Sequence, residues 1–419
     1  MPKYLIIGCG PAALAAVEKI RSLDEHGEIK VVSGENEQPY CRTVLPYLLA
    51  GKVAESSIWT ADSQYFDKLR TVFAPGREVV RIVPEKKSVL YRQGDPDIYD
   101  KLLIACGAQP VAPSLKGLDA KNLLTFHTLS DYCQLSGSLG TAAATVILGG
   151  GLIGLQLAAG LSGKGHKVAL VEKEKQILST YFNQPVAGRL VDILRQHNVE
   201  VFTGEDVIES RQRDGLTEIR CASGKTMRAN SVVSCVGVRP NISFLTDSGI
   251  SINRGVVVDA GMRTNVSDVY AAGDVAEAAD FFTGLPGTSA IIPSAVAQGK
   301  IAGTNMAGGQ ASYEGSIPLN RLNLFGHQAS SIGLALLKDG HAEVMEQEVK
   351  NTGAFSRLVF RDDTLVGALF LDVDVLPGII RYLIQNKVKI GRHKQSLLSR
   401  TKETACALMV QAERTPGNG

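Results

Sequence analysis

Short apolar runs alternate with glycine turns and helical patterns along the first part of the chain, and two stretches repeat one layout. In Tyr4 to Glu35, and again in Thr145 to Glu172, an apolar run meets a glycine-rich turn, a helical pattern and a second apolar run that closes on an acid. The runs YLIIG, KVVS, TVILGG and KVALVE are rich in β-branched residues and bounded by glycine or charge. Strands covered on both faces read this way, whereas half-exposed strands alternate. The pattern predicts two βαβ units with central parallel strands, related by internal duplication. From about Ser316 the runs SSIGLAL, RLVFRDD and LVGALFLD predict a smaller α+β region, and the final ERTPGNG reads as a frayed end.

Proline and glycine cluster at Gln109 to Gly117 and around Arg239-Pro240-Asn241, which marks linkers on either side of the second βαβ unit. The expected fold class is α/β, with two Rossmann-like dinucleotide-binding domains, the second inserted in the first, and a small α+β C-terminal domain. The expected boundaries are 1–115 with 240–315, then 116–239, then 316–419.

Composition narrows the function classes. A chain of 419 residues exceeds what one core serves, in keeping with several domains. Lys+Arg 44 against Asp+Glu 42 leaves +2, so no global field recruits nucleic acid or a membrane. No apolar run reaches spanning length and no secretory signal pattern opens the chain, from which a cytoplasmic location is expected. The seven cysteines form no CxxC and no metal-ligand spacing, so reduced thiols and no bound metal or cluster are expected.

Gly8-Cys9-Gly10-Pro11-Ala12-Ala13 follows YLII and opens a helical pattern. In such a G-x-G-x-x-A turn the first glycine makes the bend, the second admits a pyrophosphate, and the small third residue lets helix and strand pack. The helix N-terminus then favours the phosphate charge. Glu35 lies 22 residues past Ala13, where an acid can bind a ribose. Gly149-Gly150-Gly151-Leu152-Ile153-Gly154 repeats the arrangement, with Glu172 closing VALVE. Two dinucleotides are implied. An acid at Glu172 accepts from a free 2′-hydroxyl and repels a 2′-phosphate. Like charges about 4 Å apart cost on the order of 4 kcal/mol at an effective dielectric near 20, which favours NADH over NADPH. Lys173 and Lys175 are candidates to soften that repulsion.

With these motifs the chain resembles the FAD-dependent pyridine nucleotide oxidoreductases, which include ferredoxin reductases, NADH oxidases, nitrite reductase flavin domains and CoA-disulfide reductases. Three further segments carry the likeness. Tyr99 to Pro110 is similar to the family's YDKLLIATGARP, with Cys106 for its threonine, Val236-Gly237-Val238-Arg239-Pro240-Asn241 matches its G-x-R-P-N return, and Tyr270 to Val275 is similar to its second FAD signature. The resemblance implies FAD held by Gly8, Gly10, Pro11, Ala12, Ala13, Glu35, Arg42, Thr43, Val79, Ala105, Cys106, Gly107, Gly273, Asp274, Ile292 and Ala295. It implies NAD(H) held by Gly149, Gly151, Leu152, Ile153, Gly154, Glu172 and Gly237. Asp274 would bind the ribityl chain, and the helix after Ile292-Pro293-Ser294-Ala295 would start at the flavin pyrimidine.

The segment Pro39 to Tyr47 (PYCRTVLPY) aligns with the family's PYxR stretch, and Thr43 stands where CoA-disulfide reductases carry the catalytic cysteine. Cys41, two positions earlier, would share a face with Thr43 in an extended segment and is a candidate displaced thiol. Tyr47 replaces a lysine that many relatives place near the flavin. From Arg381 to Lys402 lie seven Lys/Arg residues and no acid, a candidate basic docking face. The expected function is hydride transfer between NADH and FAD, with electrons exchanged with an external iron–sulfur or ferredoxin-like partner. No protein side chain is needed for catalysis. A narrower likeness is to the FAD subunits accompanying 2-oxoacid:acceptor oxidoreductases such as phenylglyoxylate dehydrogenase, which implies a hetero-oligomer, with a homodimer as the other arrangement. A stand-alone NADH oxidase or CoA-disulfide reductase, and a non-enzymatic NADH sensor or assembly factor, are the rival readings.

Overall fold

The computed structural model describes residues 1–113, 116–117, 123–140 and 143–414. Part of the expected linker (114–115) and the end read as frayed (415–419) lie outside the described residues. The chain divides into two units by its contacts. The first holds Met1–Val44, Val53–Gln109 and Val238–Ser316, and the second holds Leu45–Lys52, Pro110–Gly237 and Ile317–Gly419.

The first unit is built on a five-stranded parallel sheet in the order Val269–Ala271, Lys101–Ile104, Lys3–Ile7, Glu28–Val32, Thr71–Ala74. Its middle strand is the first apolar run of the sequence, and Ile6 pairs with Val31 on one side and Leu103 on the other. All three side chains are fully buried. Cutting such a residue to alanine costs about 2–5 kcal/mol, and a polar side chain left unpaired there would cost its desolvation as well. Helix Pro11–Leu23 begins with proline in its first turn, where a missing N–H is harmless. It ends at Asp24, whose carboxylate accepts from the N–H groups of His26 and Gly27. Helix Ile292–Met306 lies against it, and Gly299 and Gly303 permit the approach. A Cβ on Gly299 would fall 2.1 Å from the Ala12 carbonyl oxygen, and one on Gly303 would fall 2.7 Å from that of Ala16. A separate small antiparallel sheet, Val79–Val83, Ser88–Tyr91 and Asp97–Ile98, also belongs to this unit.

The second unit repeats the theme. Its parallel sheet runs Val199–Thr203, Lys167–Glu172, Ala144–Leu148, Ser231–Ser234, Leu123–Thr125, again with the strand before the glycine turn in the middle. Helix Leu152–Gly163 follows the turn, and the three-stranded sheet Val207–Arg213, Leu216–Cys221, Thr226–Ala229 matches the small sheet of the first unit. Short helix Leu45–Leu49 packs on helix Leu152–Gly163, where a Cβ on Gly160 would lie 3.3 Å from both the Ala50 Cβ and the Pro46 carbonyl oxygen. The C-terminal region is α+β, as its strand-like runs predict. A five-stranded antiparallel sheet runs Leu319–Leu324, His327–Gly333, Thr364–Leu371, Ala354–Arg361, Glu343–Val349, followed by helices Pro377–Gln385, Lys394–Ser399 and Thr401–Arg414. Among the described residues no helix is long and apolar enough to cross a membrane.

Candidate functional site

The two glycine turns match at the level of single hydrogen bonds. Gly8 has φ +102°, donates its N–H to the Val32 carbonyl at 2.8 Å, and would place a Cβ 2.2 Å from the Ala105 carbonyl oxygen. Gly149 has φ +104°, donates to Val171 at 2.8 Å, and would place a Cβ 2.5 Å from the Cys235 carbonyl oxygen. Only glycine accepts this conformation and this closeness together. Each helix then starts on an extended glycine, Gly10 (φ −79°, ψ −174°) or Gly151 (φ −81°, ψ −178°). Apart from its immediate chain neighbours, no described residue has an atom within 4 Å of where either Cβ would stand. Open ground before a helix start, with unpaired N–H groups behind it, is what a pyrophosphate requires. Ala13 is fully buried against the strand, and Gly154 has room for no side chain at all, since its Cβ would meet the Gly149 carbonyl oxygen at 2.1 Å.

In the first unit Ala105, Cys106 and Gly107 follow strand Lys101–Ile104 directly beneath this turn, and the Ala105 N–H bonds to Ile7 at 2.8 Å. Gly273 and Asp274 follow strand Val269–Ala271. Gly273 approaches Ala12 and Ala295, so the second expected signature, the first helix and the start of helix Ile292–Met306 converge. Gln298, 1% exposed, fixes that convergence by accepting the Gly273 N–H at 2.8 Å. No motif in the sequence marks this role, because it depends on Gly273, 25 residues away. Burial raises the Asp274 carboxyl above its ordinary range, opposed by the Arg42 charge, and no described residue donates to it. A partly buried carboxylate without a donor fits a sugar-hydroxyl acceptor.

Glu35 lies in a bend three residues past strand Glu28–Val32, not at the strand end. It accepts from Tyr40 Oη at 2.6 Å and pairs with the Arg42 guanidinium, which also lies over the Tyr40 ring. Val79 opens the small sheet close to that acid, where Gly76 N–H bonds to the Glu35 carbonyl. The segment around Thr43 is not extended. Arg42–Val44 forms a 3-10 turn, so Cys41 and Thr43 meet across that turn, with Sγ and Oγ1 3.2 Å apart. The apolar pattern of LPYLL pulls the chain into a helix immediately afterwards and removes the room for a strand. Among the other cysteines, burial pushes Cys106 and Cys235 up to about 12 and raises Cys9, the last opposed by Ser33. Thiols held protonated are poor nucleophiles.

In the second unit Glu172 ends its strand, and both its oxygens are turned to backbone, Oε2 to Gly150 N–H at 2.6 Å and Oε1 to Glu174 N–H at 2.7 Å. Lys173, a candidate to soften repulsion at this acid, is instead 2.9 Å from Asp206. Leu152 and Ile153 form the first turn of the helix after Gly151, and Gly237 follows strand Ser231–Ser234 as Gly107 follows its own. Tyr47 sits on helix Leu45–Leu49 and accepts from Gln156 Nε2 at 3.2 Å, a neutral pair on the helix that leaves the second turn. The basic run is less open than its composition implies. Lys394 pairs with Glu343 and Asp363, Lys402 with Asp374, and Lys389 donates to the Asp362 carbonyl.

Residues 2–311 match the family described as pyridine nucleotide-disulphide oxidoreductase. The NADH-dependent phenylglyoxylate dehydrogenase subunit epsilon of Aromatoleum evansii is 33% identical over 370 residues, covering 88% of this chain and 87% of that protein. The chain belongs to the pyridine nucleotide-disulphide oxidoreductase family. Its cofactors are FAD and NAD(H), and it is an FAD-dependent NAD(H) oxidoreductase. Within that family it is also similar to the 5,5'-dehydrodivanillate O-demethylase ferredoxin reductase subunit of Sphingobium sp., 30% identical over 81% of this chain and 84% of the relative. The fold matches the covalent putidaredoxin reductase–putidaredoxin complex with a TM-score of 0.88 at 20% identity, covering 98% of this chain and 99% of that one. It also matches the water-forming NADH oxidase from Lactobacillus brevis bound to NADH, with a TM-score of 0.85 at 22% identity and full coverage of both chains.

Proposed function

We propose that the chain carries electrons between NADH and an iron–sulfur protein by way of FAD, as the nucleotide-handling subunit of a larger oxidoreductase acting on a 2-oxoacid. The observation that carries the two-nucleotide reading is the pair of equivalent turns, each with open space before a helix start and an acid within reach of the turn. FAD is assigned to the first unit. There Gly10, Pro11 and Ala12 offer helix N–H groups and small surface to the pyrophosphate, and Glu35, released by Arg42, takes the ribose. Asp274 takes the ribityl hydroxyls, and the start of helix Ile292–Met306 presents its positive end. NAD(H) is assigned to the second unit, on Gly151 to Gly154, with Glu172 on the ribose. When bound together, the flavin supplies the exchange between two-electron hydride chemistry and single-electron transfer, and the protein contributes position and exclusion of water.

The external acceptor is supported by Thr43, which replaces a nucleophilic thiol, and by the raised thiols of Cys106 and Cys235, which stay protonated. Several relatives are named for electron-carrier partners, among them a rubredoxin-NAD(+) reductase of Pseudomonas putida. Membership of a 2-oxoacid complex rests on the likeness to the phenylglyoxylate dehydrogenase subunit. The test is anaerobic addition of NADH to the purified yellow protein, then of a one-electron dye, a disulfide or oxygen. Bleaching by NADH with fast return only through the dye is expected. Fast turnover with a disulfide or oxygen would reject the external-partner reading, and a flavin that NADH leaves yellow would reject the whole assignment.

A further inference from the structure

Charged groups crowd the corner where strand Lys167–Glu172 leaves its sheet, and Glu172 and Lys173 are each committed to a particular neighbour. Glu172 is held onto the glycine turn by two backbone N–H groups. Lys173, the next residue, turns to Asp206 Oδ2 at 2.9 Å. Asp206 is placed from outside that strand, three residues beyond the end of the neighbouring parallel strand Val199–Thr203. Backbone bonds hold it there, since Glu205 N–H donates to the Glu172 carbonyl at 3.0 Å and Ala222 N–H to the Asp206 carbonyl at 2.9 Å. Lys225, on the adjoining turn, lies over the Phe202 ring at 3.8 Å.

A ribose 2′-phosphate brings between one and two extra negative charges and needs a cation to offset Glu172. Lys173 is the cation next to that acid in the chain, and it is occupied. We infer that Asp206 is a specificity-determining residue for the nicotinamide nucleotide. By holding Lys173, it withholds the counter-charge a 2′-phosphate requires, and so reinforces Glu172 in selecting NAD(H) over NADP(H). This rests on the reading of the second turn as the NAD(H) site. Lys173 is 72% exposed and Asp206 50% exposed, so nothing in the packing prevents the ammonium from swinging once its partner is neutral. The same exposure limits the effect to the few-fold scale of a surface pair. Because backbone groups place Asp206, Asp206→Asn leaves the local fold intact.

The test is calorimetric binding of NAD+ and NADP+ to the FAD-loaded protein at low salt, for the parent, Asp206→Asn, Lys173→Met and the double variant. Asp206→Asn is expected to tighten NADP+ about threefold to fivefold, with NAD+ changed by less than about twofold. Lys173→Met in that background is expected to abolish the gain. A gain that survives in the double variant would assign the effect to Asp206's own charge and overturn the inference, as would no gain in Asp206→Asn. Failure of the parent protein to bind NAD+ at all is a separate result, and it would sink the underlying assignment of the second turn.

Discussion

The first and second glycine turns share a backbone and differ in what surrounds them. At the first, helix Ile292–Met306 arrives from far along the chain and touches helix Pro11–Leu23 backbone to backbone at Gly299, while Gly273 and Gln298 close over Ala12. At the second, the corresponding support is the short helix Leu45–Leu49, which meets the helix at Gly160, beyond the turn, at the looser distance of 3.3 Å. The acids differ too. Glu35 is engaged by the side chains of Tyr40 and Arg42, which can move, and Glu172 by fixed backbone N–H groups. One cradle is assembled from distant segments and suits a resident cofactor, and the other is largely local and suits a ligand that comes and goes.

The sharpest way to break this comparison is to fill each cradle separately. Gly10→Val and Gly151→Val put side chains into space free of protein atoms, so both variants are expected to melt within a few degrees of the parent. Each should weaken its own nucleotide by at least about 100-fold, the scale of several lost charge-assisted bonds. Gly10→Val should purify colourless. Gly151→Val should stay yellow and fail to bleach with NADH. If both lost flavin alike, the two turns would not be independent sites.

The difference in buttressing predicts a difference in stability. Gly299→Ala drives a methyl against the Ala12 carbonyl and is expected to cost about 2–3 kcal/mol with loss of flavin, while Gly160→Ala is expected to cost less than about 1 kcal/mol. Paired denaturant titrations measure both. For the acids, Glu172→Gln is expected to narrow the preference for NADH over NADPH about tenfold, about 1.4 kcal/mol, with flavin content unchanged. Steady-state kcat/KM for the two nucleotides checks it.

Asp274 supplies a pH test confined to the first cradle. Burial raises its carboxyl in the folded protein without FAD, so the charged form is disfavoured there. Its contribution to stability is fully present below the unfolded pKa and is lost as pH rises through the folded one. Asp274→Asn is therefore expected to stabilise the FAD-free protein at neutral pH, to leave it unchanged under acid conditions, and to weaken FAD. Melting curves of the apoprotein at two pH values decide it. The smallest effect is expected for Cys41→Ser, which should change the rate of flavin bleaching by NADH by less than about twofold.

How much of this was legible in the sequence follows from how local each signal is. The turns were legible because a glycine that must bend left-handed next to a strand leaves its mark within six residues, and the buried runs fixed the middle strands. What depended on remote partners was not. PYCRTVLPY carries nothing to say that Arg42–Val44 coils, because the coil is followed by a helix that belongs to the other unit. The basic run looked open because its partners Glu343, Asp363 and Asp374 lie upstream of it in the sequence. Lys173 looked available because Asp206 lies 33 residues further along, in the connection after strand Val199–Thr203. Gln298 was visible as a residue, and its hydrogen bond to Gly273 was not.

Helix Leu45–Leu49 carries a last consequence. The polypeptide passes from one unit to the other at Val44–Leu45, Lys52–Val53, Gln109–Pro110, Gly237–Val238 and Ser316–Ile317. No single scission separates the halves, and a fragment holding only residues 110–237 would expose the small-residue face that Pro46 and Ala50 cover. Transplanting one half into another protein would therefore need an eight-residue loan from the other half's stretch of chain.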